Sequence, residues 1–255
     1  MAKTWFLTGT DTEVGKTVVS SALLQCATQQ GYQTAGYKPV ASGSEWLPEG
    51  LRNSDALTLQ QFSRVPLAYQ QVNPYCFETP TSPHIVSEET KQPIDFQVMS
   101  KGLSYFSSPT SPHIVSEETK QPIDFQVMSK GLSYLQQRAD WVLVEGAGGW
   151  FTPLSANQFF ADWVIEEKLP VILTVGIKLG CINHALLTQQ AIWQSGLTLA
   201  GWVANEVEPA GQYQQQYLAT LMAHIKAPLL GKIPYLTQDV KQHNFTSYLD
   251  LSYLK

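Results

Sequence analysis

The sequence predicts an α/β fold, a mostly parallel sheet with helices on both faces, in one domain spanning residues 1–255. Two observations predict it. Short runs that are apolar throughout recur along the chain, as at residues 141–145 (WVLVE), 170–175 (PVILTV) and 199–204 (LAGWVA). Stretches with helical spacing separate them. Continuous rather than alternating apolar strands, with helices between, are the pattern of a parallel sheet covered on both sides.

The elements follow in order. Residues 4–8 form a short strand ending at Gly9. From Lys16 to about residue 30, Val18, Val19, Ala22, Leu23 and Cys26 recur at helical spacing until Gly31 stops the run. Residues 34–40 read as a second strand and residues 53–62 as a helix capped by Asn53 or Ser54. A strand is expected at residues 71–77. The later strands are 141–145, 170–175, 199–204 and 229–233, with helices at 183–194 and 212–224. No linker divides the chain.

Residues 80–105 and 109–134 are identical, 26 letters at an offset of 29. Stacked structural repeats diverge and need about three or more copies, so this pair reads as a recent or engineered tandem duplication inserted in the domain. The second copy runs directly into the strand at 141. It is therefore expected to supply a packed helix, at about residues 123–137. The first copy is expected to supply the loop at the sheet edge, with about one period bulging between them, which closure entropy tolerates.

Composition narrows the function. The net charge of -5 gives no support to nucleic acid as a partner. Cys26, Cys76 and Cys181 form neither a disulfide framework nor a zinc motif. The N-terminus lacks the long apolar core of a signal peptide, and no apolar run reaches the ~18 residues of a membrane span. No membrane partner and a cytoplasmic location are expected.

The strongest chemical signal is Gly9-Thr10-Asp11-Thr12-Glu13-Val14-Gly15-Lys16-Thr17, between a strand and a helix. This is the setting of a phosphate loop, although five residues rather than four separate its glycines. Backbone N–H groups from Val14 to Thr17 would face phosphate oxygens at the helix N-terminus. Lys16 would neutralise the outer phosphates, and the Thr17 hydroxyl would coordinate Mg²⁺. The fold is then P-loop NTPase-like. Glu145 ends a buried strand, where parallel sheets present their sites. Asp55 reads equally as an acid favouring a helix N-terminus. Lys38, at a strand end before proline, could stabilise charge on a transferring phosphoryl group or a carbamate.

The loop GTDTEVGKT resembles that of the dethiobiotin synthetase family. Lys38-Pro39-Val40-Ala41-Ser42-Gly43, Asn53-Ser54-Asp55-Ala56, Asn73-Pro74-Tyr75, Ser82-Pro83-His84, Glu145-Gly146-Ala147-Gly148-Gly149 and Lys178-Leu179-Gly180-Cys181-Ile182-Asn183-His184 follow in the family's order. The resemblance covers almost the whole chain, except the extra 29 residues and the stretch after about Leu236.

The resemblance implies an ATP- and Mg²⁺-dependent enzyme acting on 7,8-diaminononanoate, CO₂ and ATP. It implies catalysis by Lys16 and Lys38, and metal ligation by Thr17, Asp55 and Glu145. It implies nucleotide contacts from Glu13, Val14, Gly15, Lys16, Thr17, Val18, Asp55, Glu145, Gly146, Ala147 and Gly148, with Asn205 reading the adenine edge beside Pro234, Tyr235 and Leu236. Thr12 and Ser42 would face the diamine. Gly180, Cys181, Ile182 and Asn183 would hold its carboxylate from the partner subunit of a homodimer. His84 and His113 are twins, and at most one can occupy the family's Ser-Pro-His position. Two alternatives stand beside this: a partner-regulated ATPase switch of the partitioning type, whose loop carries an early lysine where this one has Thr10-Asp11-Thr12, and a folded but inactive duplicated variant.

Overall fold

The computed structural model describes residues 2–78, 123–155 and 157–254. At its centre lies a six-stranded sheet made of β1 (Lys3–Gly9), β2 (Thr34–Tyr37), β7 (Trp141–Gly149), β8 (Val171–Gly176), β9 (Leu199–Asn205) and β10 (Leu229–Ile233). The spatial order is β10-β9-β8-β1-β7-β2, and every pairing is parallel. All six carboxyl ends therefore share one edge, where parallel sheets place ligands.

Both faces of the sheet are buried, as the continuous apolar strands predict. Along β1, Trp5 and Leu7 point to one side and Phe6 to the other. The first side packs on α1 (Lys16–Gln29), α2 (Ser54–Phe62), α3 (Tyr69–Val72) and the C-terminal residues Phe245, Leu251 and Leu254. The second side packs on α4 (Phe125–Gln136), α5 (Phe160–Glu166), α6 (Cys181–Gln194) and α7 (Gln214–His224). Trp141, Trp163 and Trp202 are fully buried. No helix among the described residues is long and apolar enough to cross a membrane.

Two expectations are corrected, and two elements are new. The strand expected at 34–40 breaks after Tyr37, because Pro39 lacks the N–H that a ladder needs; Val40–Ala41 (β3) then pairs with β6 outside the main sheet. The strand expected at 71–77 shortens to two residues, β6 (Tyr75–Cys76), and its start belongs to the short helix α3 (Tyr69–Val72). Residues 45–52, unassigned from sequence, form a hairpin of β4 (Glu45–Leu47) and β5 (Gly50–Arg52). The short helix α5 also went unanticipated.

The described part of the second copy, residues 123–134, is packed as expected. Asp124 caps α4 by accepting from the Gln126 N–H at 2.8 Å. Phe125, Met128, Leu132 and Leu135 bury its apolar face, and a few residues later the chain enters β7. The Asp124 N–H donates to the Tyr75 hydroxyl at 2.9 Å, tying this helix to β6. The first copy, with His84, and residues 109–122 of the second, with His113, lie outside the described residues.

Leu132 is fully buried, so Leu132→Ala removes core volume that the sheet cannot refill. It is expected to cost about 2–5 kcal/mol, measured as a lower midpoint in denaturant with an unchanged slope.

Candidate active site

The loop between β1 and α1 is shaped by three local features. Gly15 adopts φ +78°, and a Cβ there would stand 2.1 Å from the Asn205 amide nitrogen. No side chain other than hydrogen fits both the backbone and the space. Glu13 also takes a positive φ, 58°. Val14 is fully buried. Its side chain sits so close to Gly9 and Gly176 that a Cβ at either would approach it to 2.6 or 2.9 Å. Helix α1 starts at Lys16 with no side-chain cap, which leaves its first amides directed at the loop's concavity.

Around that loop the sheet edge gathers the predicted chemistry. The carboxylate of Glu145, on β7, is wholly buried. Its Oε1 accepts from the Lys38 ammonium at 2.5 Å and the Thr17 hydroxyl at 3.2 Å, and its Oε2 accepts from Ser20 at 2.6 Å. Lys38 Nζ also lies 3.3 Å from Asp55 Oδ2 and 3.4 Å from the Gly146 carbonyl. Lys16 donates to the Asp11 carbonyl at 3.0 Å. Thus Lys16, Thr17, Lys38, Asp55 and Glu145, from four separate stretches of sequence, meet in one place.

The electrostatics follow from burial. Burial and then the neighbouring Lys38 charge pull the Lys16 ammonium down to about 8, with Glu145, Asp55 and Asp11 opposing them. Burial would also lower Lys38, but Glu145 and Asp55 outweigh it and hold that ammonium above its ordinary value. For Asp55, burial favours the neutral acid; Lys38, the Thr17 hydroxyl and Lys16 overcome it and keep the carboxyl below its usual range. Lys38 and Asp55 are therefore each held in the charged form.

The remaining predicted residues divide into two groups. Asn205, at the end of β9, donates its amide to the Val14 carbonyl at 2.9 Å. Pro234, Tyr235 and Leu236 follow β10 next to it; the Tyr235 N–H donates to Glu206 at 3.3 Å, and Glu206 pairs with Lys232. Thr12 is exposed on the loop, and the Ser42 carbonyl accepts from Asn53 at 3.2 Å. Val18 is half-buried on the first turn of α1, while Ala147 and Gly148 continue β7 past Glu145. Gly180, Cys181, Ile182 and Asn183 open α6, with Gly180 at φ +90° and no side-chain cap. Among the described residues no hydrogen bond or ion pair joins this segment to the Lys38 cluster.

Two contributors were missed from sequence. Ser20 lies on α1 one turn after Thr17, and that spacing places both hydroxyls on one face of the helix. Glu206 follows Asn205 directly, but nothing in its neighbourhood of sequence points to Lys232 or Tyr235.

Gly15→Ala is expected to destabilise the fold by about 1–3 kcal/mol through backbone strain and to displace Asn205. Calorimetry with ADP should then register much weaker binding; unchanged affinity would show that the loop does not form the nucleotide site.

The comparisons with known proteins agree with this geometry. The AAA domain family model matches residues 3–105 and 100–243. The chain is 55% identical over 254 residues to ATP-dependent dethiobiotin synthetase BioD 1 of Escherichia coli (strain K12), covering 100% of each chain. It is 60% identical over 222 residues to ATP-dependent dethiobiotin synthetase BioD of Serratia marcescens, covering 87% of this chain and 85% of that one. Among solved structures it resembles the MinC:MinD cell division protein complex of Aquifex aeolicus, with a TM-score of 0.51 at 15% identity over 96% of this chain and 85% of that one, a likeness of fold alone. With a glycine loop at the sheet's carboxyl edge, Lys38, Asp55 and Glu145 gathered beside it and such relatives along its whole length, the chain belongs to the ATP-dependent dethiobiotin synthetase family.

Proposed function

We propose that this enzyme closes a cyclic urea on 7,8-diaminononanoate, using CO₂ and ATP and releasing ADP and phosphate. The observation that carries the proposal is the meeting of Lys16, Lys38, Thr17, Asp55 and Glu145 beside an uncapped helix N-terminus. One amine takes up CO₂ as a carbamate. A carbamate oxygen attacks the γ-phosphorus, ADP leaves, and the second amine then displaces phosphate from the mixed anhydride. No covalent bond to the protein is needed, so the residues act by placement and by holding charge. Lys16 and the amides from Val14 to Thr17 would bind the phosphates. Lys38, already held in place by two carboxylates, would stabilise charge on the transferring group and the carbamate.

The donor set suits Mg²⁺. Among the described residues no group of three or more His, Cys, Asp or Glu could hold a metal. Here two carboxylates and the Thr17 hydroxyl supply hard oxygen donors, and the ammonium lying between the acids indicates a field that favours a cation. A hexacoordinate ion that keeps waters and phosphate oxygens needs no further protein ligand. When bound, Mg²⁺ would neutralise charge on the terminal phosphates.

The N-terminus of α6 is proposed to serve the second copy of a homodimer, holding the diamine's carboxylate through Gly180, Cys181, Ile182 and Asn183. Its support is the uncapped start of that helix and the exposure of Leu179 and Leu187 beside it.

Lys38→Gln is expected to lower turnover about 10²–10³-fold. It also leaves a fully buried carboxylate without its cation, so the loss must be read on protein shown to be folded. Phosphate release should require diamine, bicarbonate and ATP together, and should be run beside a chain lacking one 29-residue period. ATP hydrolysis without the diamine, raised instead by DNA or vesicles, would point to a partitioning-type switch. For the dimer, mixing inactive Lys38→Gln with inactive Asn183→Ala should restore part of the turnover, because one of the two sites in a mixed pair is then intact. No restoration would place the α6 segment outside its neighbour's site.

A further inference from the structure

Two sequence motifs remain without a chemical role: Asn53, before the acid of α2, and Asn73-Pro74-Tyr75. Their side chains are nevertheless inside the protein. Asn53 is 4% exposed, Asn73 2% and nearby Tyr69 7%. Burying three polar side chains is unfavourable unless each is hydrogen-bonded, and these bond mainly to one another and to the backbone beside the catalytic cluster.

The connections form one path. Beyond Tyr37 the chain leaves the sheet, so the backbone of Lys38 has no ladder partner. Its N–H donates instead to the Val72 carbonyl at 2.8 Å. Its carbonyl accepts from the Asn73 amide at 2.7 Å, and the other amide hydrogen of Asn73 goes to the Tyr75 carbonyl at 2.9 Å. With both donors spent, the Asn73 oxygen accepts from the Tyr69 hydroxyl at 2.9 Å. That hydroxyl in turn accepts from the Asn53 N–H at 2.7 Å, and the Cys76 sulfur lies 3.2 Å from it. The Asn53 side chain caps α2 by accepting from the Ala56 N–H at 3.1 Å.

One end of this path is the backbone of Lys38, and the other is the first turn of the helix that carries Asp55. We propose that Tyr69 is a positioning residue for the metal–nucleotide site: its hydroxyl joins the Asn73 clamp on Lys38 to the cap of α2 and so fixes Asp55 relative to Lys38 and Glu145. Glu145 needs no such device, because β7 lies between β1 and β2 in the sheet. Asp55 does need one. It rides a nine-residue helix outside the sheet, and its side chain is 41% exposed, so its distance from Glu145 depends on how that helix is seated. The proposal rests on the assignment of Asp55 as a metal ligand.

The test uses the full chain with Tyr69→Phe. This keeps the ring and its contact with the Arg52 guanidinium, 4.4 Å from the centroid, and removes the hydroxyl alone. Mn²⁺ affinity in the presence of ADP, measured by electron paramagnetic resonance, should fall about 10-fold, the lower range for loss of an outer-shell support. Asn73→Ala should shift it in the same direction. The control is Thr34→Val at the opposite end of β2, which removes a buried hydroxyl pair with Thr28 at 2.8 Å. It should lower the melting midpoint but leave Mn²⁺ affinity at the wild-type value. Wild-type affinity in Tyr69→Phe, or an equal loss in Thr34→Val, overturns the proposal. Asp55→Asn separates the two layers. If it loses Mn²⁺ while Tyr69→Phe does not, the positioning role alone is wrong. If it keeps Mn²⁺, the metal assignment falls and takes the positioning role with it.

Discussion

A carboxylate sealed from water beside a sealed ammonium is the constraint on which the molecule depends. Glu145 has no solvent contact, and moving an ionised acid into such a place is costly unless its partners satisfy it. Lys38, Thr17 and Ser20 together do so. Satisfying it requires β7 to lie between β1 and β2, so that the phosphate-loop helix reaches one oxygen pair and the end of β2 delivers the lysine. The sheet order and the composition of the site thus express the same requirement.

Much of this was legible in the residues, and the parts that were not have physical reasons. The strands at 141, 170 and 199 were clear because burial on both faces leaves a continuous apolar run. The stretch at 71–77 misled because its apolar and aromatic residues serve a short helix and a two-residue strand; its true task, gripping the backbone of Lys38, leaves no periodic trace. Helix α5 is too short to establish a pattern. In the site, Lys16 and Thr17 announce themselves by their place after a glycine loop, while Asp55 alone could equally have been a helix-terminus charge. Ser20 was missed although its spacing from Thr17 signals it, and Glu206 carried no signal, since its partners come from a distant strand.

The duplicated segment illustrates how chain continuity selects among equal sequences. A helix at residues 125–136 can enter β7 within a few residues, keeping the N-cap at Asp124 next to Tyr75 and the buried face against Trp163 and its neighbours. Ser129 bonds both the Trp163 indole, at 3.0 Å, and Glu167, so the seat is defined by polar as well as apolar contacts. The packing of the second sheet face is therefore coherent around this helix.

The buried side chain of Val14 has a consequence of its own. It is lodged like a peg between the ends of two adjacent strands, with its backbone carbonyl tethered by Asn205, so the phosphate cradle is moulded before any ligand arrives. A nucleotide entering such a cradle need not organise it, and the entropy of ordering that segment was already spent when the domain folded.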